Sequence, residues 1–311
     1  MKSLGRISLL VGTLALLFFG YRFLRNDRDV ARRSLPAAHS GAPVASPATD
    51  SRIRIAAFNV QVFGRSKASR PEVMEVLARI AREFDVLVVQ EIRDASGQVA
   101  DLFLERINAE PGPAYAMYEG PRLGRSSNTE QYAAYYRVDR VELQGAYILP
   151  DPYDLFEREP LVAAFRAGNF DFILVAVHTK PTSAYQELQA LASVTMSIIN
   201  ENPAERDLIL LGDFNADCGY FQENNGRHPL RGPGFHWVIT DAMDTNVAPS
   251  SCTYDRIVLL EGTHTHEYVP GSAGVFYFDA EYGIPPFLTP QVSDHYPVYA
   301  EFRVTLPDDD G

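Results

Sequence analysis

The chain is short of positive charge. Its 311 residues include 28 Lys and Arg against 40 Asp and Glu, a net charge of −12. The first 50 residues hold seven of the basic and three of the acidic residues, which leaves 21 against 37, or −16, for the rest. Such a body does not draw in a polyanion by overall attraction; one has to be held through a bound cation and a few local arginines. This counts against a nucleic-acid binding module and only weakly against a metal-dependent enzyme. Cysteine is also scarce: Cys218 and Cys252 are the whole complement. A pair fits one disulfide closing about 35 residues, worth roughly 3–4 kcal/mol in the chain-entropy model. Two free thiols in a reducing compartment are the other reading. No internal repeat of short period is visible, and the length allows one large domain or two small ones.

The N-terminal apolar run, Ile7–Gly20, lacks the length of a full membrane span. Tyr21, Phe23 and Leu24 extend it to about 18 positions if Arg22 snorkels to the interface. No small-x-small cleavage site follows closely; Arg22, Arg25, Arg28, Arg32 and Arg33 come instead. Residues 1–24 are therefore expected to be a signal sequence or, by preference, an uncleaved membrane anchor. The arginines after the run favour a cytoplasmic body, and a disulfide favours the outside. We expect an extracytoplasmic body, membrane-anchored or secreted. Residues 25–50 turn rich in Ala, Pro and Ser and read as a flexible linker. Residues 51–305 read as the folded domain, and 306–311 as an acidic tail.

What the body does contain is a series of apolar runs that stop on polar residues. Leu208–Gly219 reads LILLGDFNADCG. Leu208–Leu211 has the look of a buried strand, and Gly212 lets the backbone come close to a neighbour. Asp213 and Asn215 lie two apart, so an extended chain points both the same way. An acid and an amide on one rim suit a divalent cation or a phosphate oxygen; an Asx turn closing a strand is the plainer alternative. Ile53–Val60 carries Asn59, and Asp85–Gln90 is an apolar strand with Glu91 at its end. Between them, Gly64–Pro71 reads as a loop. Pro71–Phe84 reads as a helix, with Val73, Val76, Leu77 and Ile80 on one face and Pro71 in its first turn. A crossover of helix length implies parallel pairing of the two strands. Ala95–Asn108 and Ser183–Asn200 read as further helices. Tyr115–Glu119, Tyr132–Arg137, Val141–Ile148, Pro160–Phe165, Phe170–His178, Tyr254–Leu260 and Tyr296–Val304 read as strands. Phe170–Val177 delivers His178, and Asp294 with His295 precede the last strand.

Each strand-end residue has an ordinary explanation alone: a satisfied structural histidine, a solvated glutamate. Repetition changes this, because strand ends in stacked sheets converge on one rim. Carboxylates Glu91, Asp213 and Asp294 with amides Asn59 and Asn215 form an oxygen-rich set that suits Mg²⁺ or Ca²⁺ and not zinc. His178 and His295 beside them can move protons. A carboxylate partner would orient each imidazole and raise its pKa.

The segments IAAFN, VVQEIRD, NTEQY, AVHTKP, LLGDFNADC, CTYDRI and VSDHYP resemble deoxyribonuclease I, of the endonuclease/exonuclease/phosphatase superfamily. The resemblance runs from about Arg52 to Val304. It implies an α/β (α+β) fold: a four-layered α/β/β/α sandwich, two packed mixed β-sheets flanked by helices. It implies divalent-metal-dependent endonucleolytic hydrolysis of double-stranded DNA, with little sequence preference and 5′-phosphate ends. Mg²⁺ or Mn²⁺ would be the cofactor, with Ca²⁺ as a further candidate, and a monomer with no protein partner is expected. Carried over by position, Glu91 would be the central metal ligand, with Asn59, Asp213 and Asp294 close by. Asn215 would bond the scissile phosphate. His178 would pair with Glu130, and His295 with Asp255. Arg93 and Arg158 would contact DNA, in the minor groove and at a phosphate. Cys218 and Cys252 match the family disulfide. Departures from the family pattern are Gln61 for a basic residue, Asn128 for an aromatic, and LPDPYDLF in place of a small cystine loop. One calcium site would use Asp154, the Phe156 carbonyl and Glu159. A second, near Asp244, would have Asn246, Val247 and Ala248 as neighbours. With the DNA grip thinned, another phosphodiesterase or phosphatase of the superfamily, acting on a phospholipid or small phosphoester, is the alternative.

Overall fold

The apolar runs assemble into two six-stranded sheets. The computed structural model describes residues 51–125, 128–201, 207–221, 226–260 and 266–307. The expected N-terminal segment and linker, and residues 308–311 of the tail, lie outside these. Among the described residues no helix is long and apolar enough to cross a membrane.

The first sheet is built on β1 (Arg52–Phe63) and β2 (Val86–Ile92), parallel as the crossover implied. The crossover helix α1 (Pro71–Ala81) has Pro71 in its first turn and buries Val73, Val76, Leu77 and Ile80. The stretch read as a loop holds one helical turn, Arg65–Ala68. Next come α2 (Val99–Asn108), β3 (Tyr115–Glu119) and β4 (Gln131–Arg137). The second sheet takes β5 (Glu142–Ile148), β6 (Leu161–Ala167) and β7 (Phe170–His178). Helix α3 (Ala184–Glu201) then crosses to β8 (Leu208–Asp213), again parallel to β7. The sheet is completed by β9 (Phe235–Trp237) and β10 (Asp255–Leu260). The chain then returns to the first sheet with β11 (Gly274–Val275) and β12 (Val298–Arg303).

The strand orders are β11-β12-β1-β2-β4-β3 and β5-β6-β7-β8-β10-β9. Central strands buried on both faces are continuously apolar and do not alternate; β8 is buried at every position. One apolar cluster lies between the sheets, from Ile55 and Val88 to Leu174, Leu211 and Ile257. A second packs α1 and α2 on the outer face of the first sheet. A third packs α3 on the outer face of the other. This is the four-layered sandwich expected. Strands β9 and β11 were not anticipated; at three and two residues they are too short to show a period.

Candidate active site

Register decides which side chains meet. His178 ends β7 directly opposite Asp213 of β8, and Asp255 of β10 lies opposite Asp213 on the other side. These three form one row across the second sheet. Gly212 has φ +129°, and an added Cβ there would collide with the Val177 carbonyl oxygen. Only glycine lets β8 lie this close just before Asp213.

In the first sheet the register between β1 and β2 shifts between Asn59 and Phe63. This bulge holds Gln61 (φ 39°) and Val62 (φ 50°) in the left-handed region, as is Glu91 (φ 62°) across from it. Such a backbone is unfavourable, most of all for β-branched Val62. Bulges next to active sites re-aim side chains. Here the Val62 N–H donates to Glu91 Oε2 at 2.8 Å. Glu91 therefore lies within β2 as its penultimate residue, beyond the strand end read from sequence.

The two sheets meet around Asp213 Oδ2. Asn59 Nδ2 donates to it at 3.0 Å and to Glu91 Oε1 at 3.3 Å. His178 Nε2 lies 3.4 Å from the same oxygen, and His295 Nε2 3.9 Å. His178 Nε2 is also 4.0 Å from Glu91 Oε1, and His295 Nε2 3.7 Å from Asp294 Oδ1. Behind the rings, His178 Nδ1 meets Glu130 Oε1 at 2.5 Å and His295 Nδ1 meets Asp255 Oδ2 at 2.7 Å. Asn215 donates to the Thr179 carbonyl at 3.1 Å. These contacts link Asn59, Glu91, Glu130, His178, Asp213, Asp255, Asp294 and His295, while the Asn215 amide is turned to the Thr179 carbonyl.

The charges explain the proton affinities. Burial opposes the charged form of His178, but the Glu130 carboxylate outweighs it and raises the ring above its usual value. Burial would likewise raise Glu130; His178 and Arg158 together hold it below the usual carboxylate range. Burial pushes Asp255 up to about 6 against the pull of His295. Burial disfavours the His295 imidazolium, yet Asp255 and Asp213 lift it to about 10.

The donor set fits a hard divalent cation. Asn59, Glu91, Asp213 and Asp294 offer oxygens, and Asp294 Oδ1 is buried with no hydrogen-bond donor upon it. The calcium candidates fit less well. The Arg125 guanidinium already meets the Asp154 and Phe156 carbonyls, both at 2.5 Å, and Asp154 Oδ1 at 2.7 Å. Asp244 Oδ1 accepts from the Asn246 and Cys252 N–H groups. The arginines named for DNA face inward in this arrangement. Arg93 lies 3.0 Å from Glu91 and 3.5 Å from Glu130; Arg158 lies 2.9 Å from Glu130 and donates to the His178 carbonyl. Cys218 and Cys252 form a disulfide.

Sequence reasoning missed several supports. The Tyr132 hydroxyl accepts the His178 N–H at 2.9 Å. Ser293 Oγ donates to the Asn59 carbonyl at 2.7 Å. Lys67 and the amide of Gln61 reach across to the segment bearing Asp294. The Ser directly before the Asp294–His295 pair was the one available cue.

A two-sheet sandwich with an oxygen-rich rim and two carboxylate-backed imidazoles defines a divalent-metal-dependent phosphoester hydrolase. The model of the Endonuclease/Exonuclease/phosphatase family matches residues 56–295, and the chain belongs to that family. It is a deoxyribonuclease I-like member. It is 38% identical over 259 residues to human Deoxyribonuclease-1-like 1, covering 81% of this chain and 85% of that protein. It is 36% identical to Deoxyribonuclease-1 of Canis lupus familiaris, covering 79% and 90%. Among solved structures, a humanized D. rerio TDP2 has the same fold, with a TM-score of 0.58 at 18% identity, covering 82% of this chain and all of that one.

Proposed function

We propose that the chain is an endonuclease that hydrolyses phosphodiester bonds of double-stranded DNA with little sequence preference, leaving 5′-phosphate and 3′-hydroxyl ends. One observation carries the reading: two imidazoles, each backed by its own carboxylate, face a single oxygen, Asp213 Oδ2. Glu91, Asn59, Asp213 and Asp294 would hold Mg²⁺ or Mn²⁺, which supplies positive charge to a phosphoryl oxygen. Glu130 and Asp255 hold the Nδ1 side of each ring and leave Nε2 facing the centre. The histidines then take the proton of the attacking water and give one to the leaving 3′ oxygen, one task each. Asn215 would turn its amide to the scissile phosphate. Arg93 would turn to the DNA minor groove once a cation competes for Glu91, which it now faces, and Arg158, beside Glu130, would lend its charge to a DNA phosphate.

The relatives' names support DNA as the substrate. The disulfide supports a working compartment outside the cytoplasm, with residues 1–24 as leader or anchor, 25–50 as linker, 51–305 as catalytic domain and 306–311 as acidic tail. A monomer suffices for this site. Supercoiled plasmid incubated with the protein should relax only with a divalent cation; relaxation in EDTA, or none with Mg²⁺, Mn²⁺ or Ca²⁺, overturns the reading. A second reading, a phosphoesterase for a phospholipid or small phosphoester, has one observation in its favour. Gln61 spends its amide on Asp294 Oδ2 at 2.8 Å, where a basic residue would grip DNA. A panel of phosphodiesters in the same assay separates the two.

A further inference from the structure

The paired register of β1 and β12 ends with Ala57 opposite Val298. The site begins where it stops: β1 continues to Asn59 and the bulge, and the chain before β12 carries Asp294 and His295. Side chains join the two segments there. Ser293 Oγ bonds the Asn59 carbonyl and receives the His295 N–H at 3.1 Å. Lys67, at the helical turn Arg65–Ala68, donates to the Val60 carbonyl at 2.7 Å and to the Val292 carbonyl at 2.9 Å. One ammonium thus spans two carbonyls that lie 232 positions apart in sequence, one residue after Asn59 and two before Asp294. It is largely shielded from water, which weakens its hold on the proton, while the Asp294 and Glu91 charges strengthen it.

We propose that Lys67 is a positioning residue of the metal centre: its ammonium fixes the gap between the segment bearing Asn59 and the bulge that steers Glu91, and the segment bearing Asp294 and His295. The inference rests on the metal-centre reading above. An ammonium is well suited to the task because it carries three donors on a compact head.

Groups that orient metal ligands typically change metal affinity by 10–100-fold when lost. Lys67→Met keeps the length and apolar stem and removes both hydrogen bonds. We expect Mn²⁺ binding, followed by calorimetry on the full chain, to weaken by roughly 10–100-fold. The kcat on plasmid should fall while KM for DNA stays, and Lys67→Arg should recover part of the Mn²⁺ affinity. A Lys67→Met protein that binds Mn²⁺ as the wild type does overturns the proposal, even if its Tm drops, because a merely structural lysine would move Tm alone. If Lys67→Met does not fold, Lys67→Gln, which keeps an N–H donor, is measured in its place; if neither folds, Lys67 serves the fold and the proposal fails. A wild-type chain that binds no Mn²⁺ removes the metal centre itself, a different failure seen before any variant is made.

Discussion

His178 and His295 lean on carboxylates of similar depth, yet those carboxylates keep different company. Glu130 lies between guanidiniums, Arg158 at 2.9 Å and Arg93 at 3.5 Å. The groups acting on Asp255 are His295, Asp213 and Thr245. One half of the site is braced by carboxylates: Glu157 accepts the Arg125 backbone N–H and pairs with the Lys180 ammonium, and Glu187 accepts the Lys180 backbone N–H. The other half is braced by a covalent bond and hydroxyls: Cys218–Cys252, Ser293 and Thr245. The contrast teaches that a histidine–carboxylate pair is not a fixed unit. What stands behind the carboxylate sets where it titrates, lowered for Glu130 and raised for Asp255.

The comparison breaks outright if only one imidazole serves the centre. His178→Ala and His295→Ala should each slow plasmid nicking by at least ~10²-fold, the lower range for a lost acid–base group. Glu91→Ala should abolish nicking. Wild-type rates from any of the three would detach that residue from the site.

Stability should then tell the halves apart. Glu130→Gln leaves two arginines facing a neutral amide, and breaking a buried ion pair costs about 3–5 kcal/mol. Asp255→Asn also unpairs the His295 imidazolium, but it removes an acid that burial already disfavours, so its Tm should fall less than that of Glu130→Gln although nicking falls. Equal losses of Tm in the two variants would erase the distinction. On the covalent side, Cys218→Ser should lower stability by roughly 3–4 kcal/mol, and added salt should not alter that difference.

The last effect is a pH slope. Burial raises Glu187 to about 7. A carboxyl raised above its unfolded value near 4.3 contributes stability below that value and loses it as pH climbs through the folded one. Wild-type Tm should therefore carry a declining component between about pH 4 and 7. Glu187→Gln should flatten it, raising Tm at pH 8 and leaving it nearly unchanged near pH 4.

Much of the site was legible because an apolar strand that stops on Asn, Glu, His or Asp announces a rim. Asn59, His178 and Asp213 could be read that way, and the crossover lengths gave the parallel pairs. Glu130 and Asp255 precede or begin strands and were visible only through family likeness. Lys67 was hidden in a stretch that reads as a loop, since its partners are carbonyls and carbonyls leave no trace in sequence. The bulge was hidden for a related reason: neither Gln61 nor Val62 favours a left-handed backbone, so tertiary contacts must impose it. Arg93 and Arg158 could be named only through family likeness, and their contacts with Glu91 and Glu130 leave no pattern in the sequence.

The return of β12 to lie beside β1 has a temporal side. A ribosome releases Asn59 more than 230 residues before Asp294 and His295. Until the closing strand docks, the nascent polypeptide has seven of the nine candidate residues but lacks Asp294 and His295. Loss of the final twenty residues by premature termination or trimming would therefore remove Asp294, His295 and the closing strand in one step.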